Sequence, residues 1–152
     1  MPNNPPDDFS AKWRDLVGGF ILAFGDVELI SYRLWRSHVG EEQPPARFAD
    51  RTRKLLGYLR RDEETNREVI DAMIAALRIA EKRNTVAHNP MQVQVFKHSA
   101  TGQFFIEQAI TSATTEDYID DAELTELRAE AEDLVSRLYL AIGFPSRDPR
   151  GV

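Results

Sequence analysis

The chain has no cysteine, which excludes a disulfide framework, a thiolate metal site and a cysteine nucleophile together. Long apolar runs are missing too. The longest, residues 16–25, is too short to span a bilayer. It is neither preceded by a basic segment nor followed by a small-residue cleavage site, so a cytoplasmic protein with no membrane partner is expected. There is no glycine-rich phosphate loop, nucleophile elbow, histidine pair at zinc spacing or calcium loop. A di-iron bundle needs Glu-x-x-His pairs, but three residues after Glu28 and Glu81 stand Ser31 and Asn84. No metal and no cofactor are therefore expected. An excess of positive charge is lacking as well, since the net charge is -6 and the field of the whole molecule does not attract a polyanion.

The 152 residues suit one domain. Both ends are rich in Pro with Asn, Arg or Gly, so residues 1–9 and 144–152 read as disordered tails around a domain at 10–143. Trp13, Val17, Phe20, Phe24, Val27, Ser31 and Leu34 recur at helical spacing and predict a first helix over 10–38, stopped by Gly40. Gly18, Gly19 and Gly25 cost it propensity, which implies a neighbouring helix approaching closely there.

Pro44 and Pro45 open a second helix at 46–61, with Phe48, Thr52, Leu55, Leu56 and Leu59 on one stripe and arginines opposite. Thr65 and Glu68 form a capping-box pair for a third helix carrying Val69, Ile70, Met73, Ile74, Leu77 and Ala80 toward His88, where Pro90 stops it. Alternation then predicts one β-hairpin, with strands around Val93 to Val95 and Phe104 to Ile110. Asp120 and Glu123 cap a last helix whose stripe is Leu124, Leu127, Ala131, Leu134, Leu138 and Ile142. The expected fold is mainly α: an antiparallel four-helix bundle with one β-hairpin inserted between helices three and four. The hairpin should pack on the bundle or on a second copy of the chain to cover Phe96, Phe104 and Phe105.

Charge is segregated. Residues 47–61 hold Arg47, Arg51, Arg53, Lys54, Arg60 and Arg61 against Asp50 alone, whereas 116–133 hold nine acids and one base, Arg128. These are either solvated faces or, on the basic helix, a phosphate-tracking surface.

The chemistry-bearing run is Arg83-Asn84-Thr85-Val86-Ala87-His88, at the end of helix three. Asn84 and His88 share a helix face, while Arg83 lies about 140° away from His88 on an ideal helix, so one helix does not aim all three at one point. Arginine, a polar residue, three more and a histidine near the end of the penultimate helix resemble the R-x4-6-H motif of the HEPN superfamily. Arg33 and His38 satisfy the bare spacing too, without the polar residue that follows Arg83.

The resemblance covers residues 10–143. It implies a homodimer whose motif helices meet in a composite site and, in active members, metal-independent RNA cleavage in a toxin or defence role, with an antitoxin or other protein as a further partner. Some toxin members carry a tyrosine two residues after the histidine, modified by a partner nucleotidyltransferase; Pro90 stands there in this chain, so that modification is not expected.

In this reading His88 is the general acid or base, Arg83 holds the phosphate and Asn84 positions it or orients His88. Arg51, Lys54 and Lys82 are candidate substrate contacts. Glu28 is either Arg83's partner across the bundle or a surface glutamate. The same trio also suits a plain helix C-terminus, where cations meet the dipole and an amide caps carbonyls. Two functions stay open: the endoribonuclease, and a catalytically silent interaction module that dimerises and docks a partner protein. Trp13, Phe20, Phe24 and Trp35 read as core rather than as a ligand pocket, and His38 and His98 as surface residues.

Overall fold

A computed structural model describes residues 8–143. The chain is mainly helical with a small three-stranded antiparallel sheet. Four α-helical segments run Asp8–His38 (α1), Phe48–Leu59 (α2), Glu63–His88 (α3) and Asp121–Ala141 (α4), and strands Met91–Lys97 (β1), Phe104–Thr111 (β2) and Tyr118–Asp120 (β3) lie between α3 and α4. Among the described residues no helix is long and apolar enough to cross a membrane.

The expected gap between helices two and three is absent. A 3-10 turn, Arg60–Asp62, links α2 directly to α3, so the two form one bent helical run. The cap of α3 is Asp62, whose carboxylate accepts from the Thr65 backbone N–H at 3.4 Å; Thr65, read from sequence as the cap, supplies the donor instead. The cap of α4 lies where the sequence places it, with Asp120 Oδ1 accepting from the Glu123 N–H at 2.8 Å.

Helix directions depart from an up-and-down antiparallel bundle. Glu68 with Arg137, Arg78 with Glu130 and Lys82 with Glu123 show α3 and α4 running in opposite directions. Lys12 with Asp121 and Asp15 with Arg128, however, match α1 to α4 in the same direction. The Phe24–Phe48 ring contact, the Ser31–Arg51 hydrogen bond and the Trp35–Tyr58 ring contact do the same for α1 and α2. The cause is the α1–α2 connection, residues 39–47, which is long enough to return along α1 instead of turning tightly into an antiparallel neighbour.

The core gathers Phe20, Phe24, Val27, Ile30 and Leu34 of α1 with Leu55, Leu59, Met73, Ile79, Leu124, Leu134 and Leu138. Trp13 and Trp35 belong to it as well, so the aromatic stripe of α1 is core. Of the three glycines expected to admit a neighbour, only Gly19 does, against the Arg128 guanidinium of α4; a Cβ on Gly18 or Gly25 would meet open space.

The hairpin pairs Met91 with Ile110 through Lys97 with Phe104, and gains β3 as a third strand beside Ala109 to Thr111. Only its base is covered. Ala109, Ile110 and Ile119 are buried, while Val93, Val95, Phe104 and Ile106, which share one face, are more than half exposed. Phe96 and Phe105 stack on each other on the opposite face and are exposed too, so the bundle of the same chain does not cover the three phenylalanines.

Candidate functional site

The last turn of α3 separates its capping chemistry from the Arg-Asn-His trio. Asn89 caps the helix, its backbone N–H and its side-chain amide both donating to the Thr85 carbonyl at 3.1 and 2.8 Å. Thr85 Oγ1 donates to Asp117 Oδ2 at 2.9 Å. Neither task falls to Arg83, Asn84 or His88.

Arg83 turns toward α1. Its guanidinium faces the Glu28 carboxylate at 3.6 Å, lies 5.8 Å from the centre of the Phe24 ring, and donates from Nη1 to Asn84 Oδ1 at 3.2 Å. Its Nε is shielded from solvent without an acceptor, so the group is under-satisfied: one long ion pair, one neutral amide and an orphaned donor. His88 ends the helix, exposed, with no hydrogen bond among the described residues. Within one chain the fold therefore assembles Arg83, Asn84 and Glu28 and leaves His88 turned away from Arg83, as their separation of about 140° on the helix requires.

Of the three residues expected to contact substrate, only Lys54 is exposed. Arg51 is 1% exposed, which removes it from any surface. Its Nε donates to Ser31 Oγ at 2.9 Å, its Nη1 to the Pro45 and Ala46 carbonyls at 2.8 and 3.2 Å, and its guanidinium stacks 3.7 Å from the Tyr32 ring centre. Burial lowers its pKa, opposed by Tyr32 and by the Glu28 carboxylate. Glu28 thus pairs with Arg83 and acts to raise the pKa of Arg51 without an ion pair to it among the described residues.

Lys82 is also taken. Its ammonium bridges Asp117 and Glu123 at 3.2 Å each. Desolvation alone would lower its pKa, but these two carboxylates outweigh it and hold the amine above its usual value.

Asp117, unremarked in the sequence, organises this corner. Hydrogen bonds from Thr85, then Thr115, then Lys82 hold its carboxyl below the usual aspartate range. A depressed carboxyl stabilises the fold above its unfolded pKa, near 3.9, and loses that contribution as pH falls through the folded value. The wild-type melting temperature is therefore expected to fall more steeply between about pH 4 and pH 2 than that of Asp117→Asn; parallel acid limbs in the two melting curves would refute the linkage.

A cleft of about 680 Å³ lies under the hairpin and is lined by Trp13, Val93, Ile106, Tyr118 and the acids Glu107, Asp120 and Asp121 with Gln108. Its polar groups are engaged with one another: Trp13 Nε1 donates to Gln108 at 2.8 Å, and Tyr118 donates to Glu107, an acceptor that pushes the phenol up to about 12. None of Arg83, Asn84 and His88 lines it, so it is separate from the trio. No protein-family model, curated protein or solved structure matches this chain.

Proposed function

We propose that the protein is a HEPN-like, metal-independent endoribonuclease that acts as a homodimer, its composite site built from Arg83, Asn84 and His88 of two copies around a four-helix scaffold of the HEPN kind. The observation that carries this reading is that Asn89 has taken over the helix cap. That leaves His88 as an unbonded imidazole one helical turn from an Arg83–Asn84 pair whose guanidinium Nε lacks an acceptor.

The chemistry follows from the side chains. As general base, the His88 imidazole removes the ribose 2′-hydroxyl proton. The 2′-oxygen then bonds to phosphorus, the bond from phosphorus to the 5′-oxygen breaks, and a second, protonated imidazole returns a proton to that oxygen. The products are a 2′,3′-cyclic phosphate and a free 5′-hydroxyl. Arg83 neutralises the charge on the phosphoryl oxygens through its donor fork, and Asn84 orients it. A toxin or defence role, with a protein that restrains the nuclease, belongs to this reading.

Incubation of single-stranded RNA with the purified protein in excess EDTA is expected to give fragments ending in 2′,3′-cyclic phosphate. Intact RNA across protein concentrations that saturate dimer formation would end the nuclease reading.

The silent interaction module is favoured by a different observation, the exposed apolar face formed by Val93, Val95, Phe104 and Ile106, together with the net negative charge. Patches of this kind mark protein contacts. In that case RNA stays intact, and a protein partner from the native host protects the hairpin face from hydrogen exchange.

A further inference from the structure

The outer face of α1 carries a pattern that the fold of one chain does not use. Gly18, Leu22, Gly25 and Leu29 follow one another at spacings of four, three and four, so they fall within about 60° of each other on an α-helix. Leu22 is 74% exposed and Leu29 46%. Side chains added at Gly18 and Gly25 would meet nothing. The stripe therefore alternates two projecting leucines with two hollows, all open to solvent, and continues into Tyr32, Arg33 and Arg36, which with Leu29 and Ser37 line a groove of about 500 Å³.

We propose that a second copy of this chain docks along this face, its α1 antiparallel to the first, with each Leu22 over the partner's Gly25 and each Leu29 over the partner's Gly18. The proposal deepens the dimeric half of the reading above and does not depend on its chemistry. Position 22 opposite 25 and position 18 opposite 29 describe one and the same register, so a single two-fold axis between residues 23 and 24 satisfies all four contacts, as an isologous interface requires. A parallel pairing would instead set glycine against glycine and leucine against leucine, leaving voids beside each leucine pair.

Charge complementarity fixes the same register independently. Position 15 lies one residue from the level of the partner's position 33, and both fall on the same flank of the helix pair. Each Asp15, 76% exposed although it pairs with Arg128 of its own chain at 3.0 Å, therefore also faces the partner's Arg33 at the edge of the basic groove. On the opposite flank each Arg14 comes to the level of the partner's Tyr32 ring.

The two-fold has a consequence for the candidate site. Glu28 lies about a quarter turn from the stripe, on the flank that the symmetry keeps common to both copies. The two Glu28–Arg83 pairs then open on one side of the assembly, about 14 Å apart along the helix axis at 1.5 Å per residue.

The test uses the full chain and sedimentation equilibrium. Wild type is expected at twice its 17.3 kDa mass. Leu22→Glu, at an exposed position, is expected at the single mass with an unchanged helix content by circular dichroism. Because the chain has no cysteine, register can be read by oxidation. An equimolar mixture of Asp15→Cys and Arg33→Cys chains is expected to form a disulfide-linked dimer, while neither chain does so alone.

A wild-type monomer at tens of micromolar, a dimer that survives Leu22→Glu, or cross-linking of either cysteine variant with itself would each overturn the proposal. The outcomes separate from those of the nuclease assay. A dimer sensitive to Leu22→Glu that leaves RNA intact keeps this interface and removes the chemistry. A nuclease whose dimer ignores Leu22→Glu does the reverse.

Discussion

His88→Ala is expected to reduce RNA cleavage by about 10²–10⁴-fold while leaving the melting temperature unchanged. The second half of that expectation comes from the structure. His88 is exposed at the end of α3 and holds no hydrogen bond among the described residues, so the fold loses nothing when the ring is removed. Activity that survives the substitution would end the catalytic assignment, because no other imidazole lies on the motif helix.

Arg83 does not offer so clean a probe. Its side chain is 27% exposed, packs toward Phe24 and neutralises Glu28. Arg83→Ala therefore removes packing along with the group proposed to bind phosphate, and its activity has to be read at a temperature well below its own unfolding midpoint.

The second large effect concerns stability. Arg51→Ala is expected to cost about 3 kcal/mol, because it leaves Ser31 Oγ and the Pro45 and Ala46 carbonyls without their donor and opens a gap beside Tyr32. For a chain of this size that corresponds to a melting temperature lower by roughly 10 °C. Arg51→Lys is expected to recover little of it, since an ammonium on a flexible stem does not reproduce a planar fork reaching three acceptors while stacked on a ring. Thermal denaturation of the two variants decides the matter: a loss below about 1 kcal/mol in Arg51→Ala would show that the buried guanidinium contributes little net stability.

Arg51 also illustrates what was legible in the sequence. Grouped with its basic neighbours, it reads as part of a solvated or phosphate-facing surface. Its position tells against that grouping: it lies three residues after Phe48 and four before Leu55, within the apolar stripe of α2. Ser31 is the polar member of the corresponding stripe on α1. Two polar residues placed inside two apolar stripes bond to each other, and that coincidence was the available signal.

The apolar stripes of all four helices, the cap at Asp120 and the β-hairpin follow from local patterns, which sequence carries well. The third strand does not, because Tyr118–Asp120 is three residues long, directly precedes an acidic helix and exists only through pairing with β2. Helix direction is equally illegible, since it depends on where residues 39–47 carry the chain, not on the composition of any helix. For the site, the spacing of Arg83 and His88 announces that one helix does not make them converge, and the structure keeps them apart. Lys82 looked available because its partners Asp117 and Glu123 are about 35 and 41 positions away along the chain, a separation across which local charge patterning says nothing.

Glu28 faces one guanidinium directly, that of Arg83 at the rim, and acts to raise the pKa of a second, entombed one, that of Arg51. If the proposed nuclease chemistry draws Arg83 onto a phosphodiester, the half-buried carboxylate left behind still feels the positive charge of Arg51, which offsets part of the lost pairing.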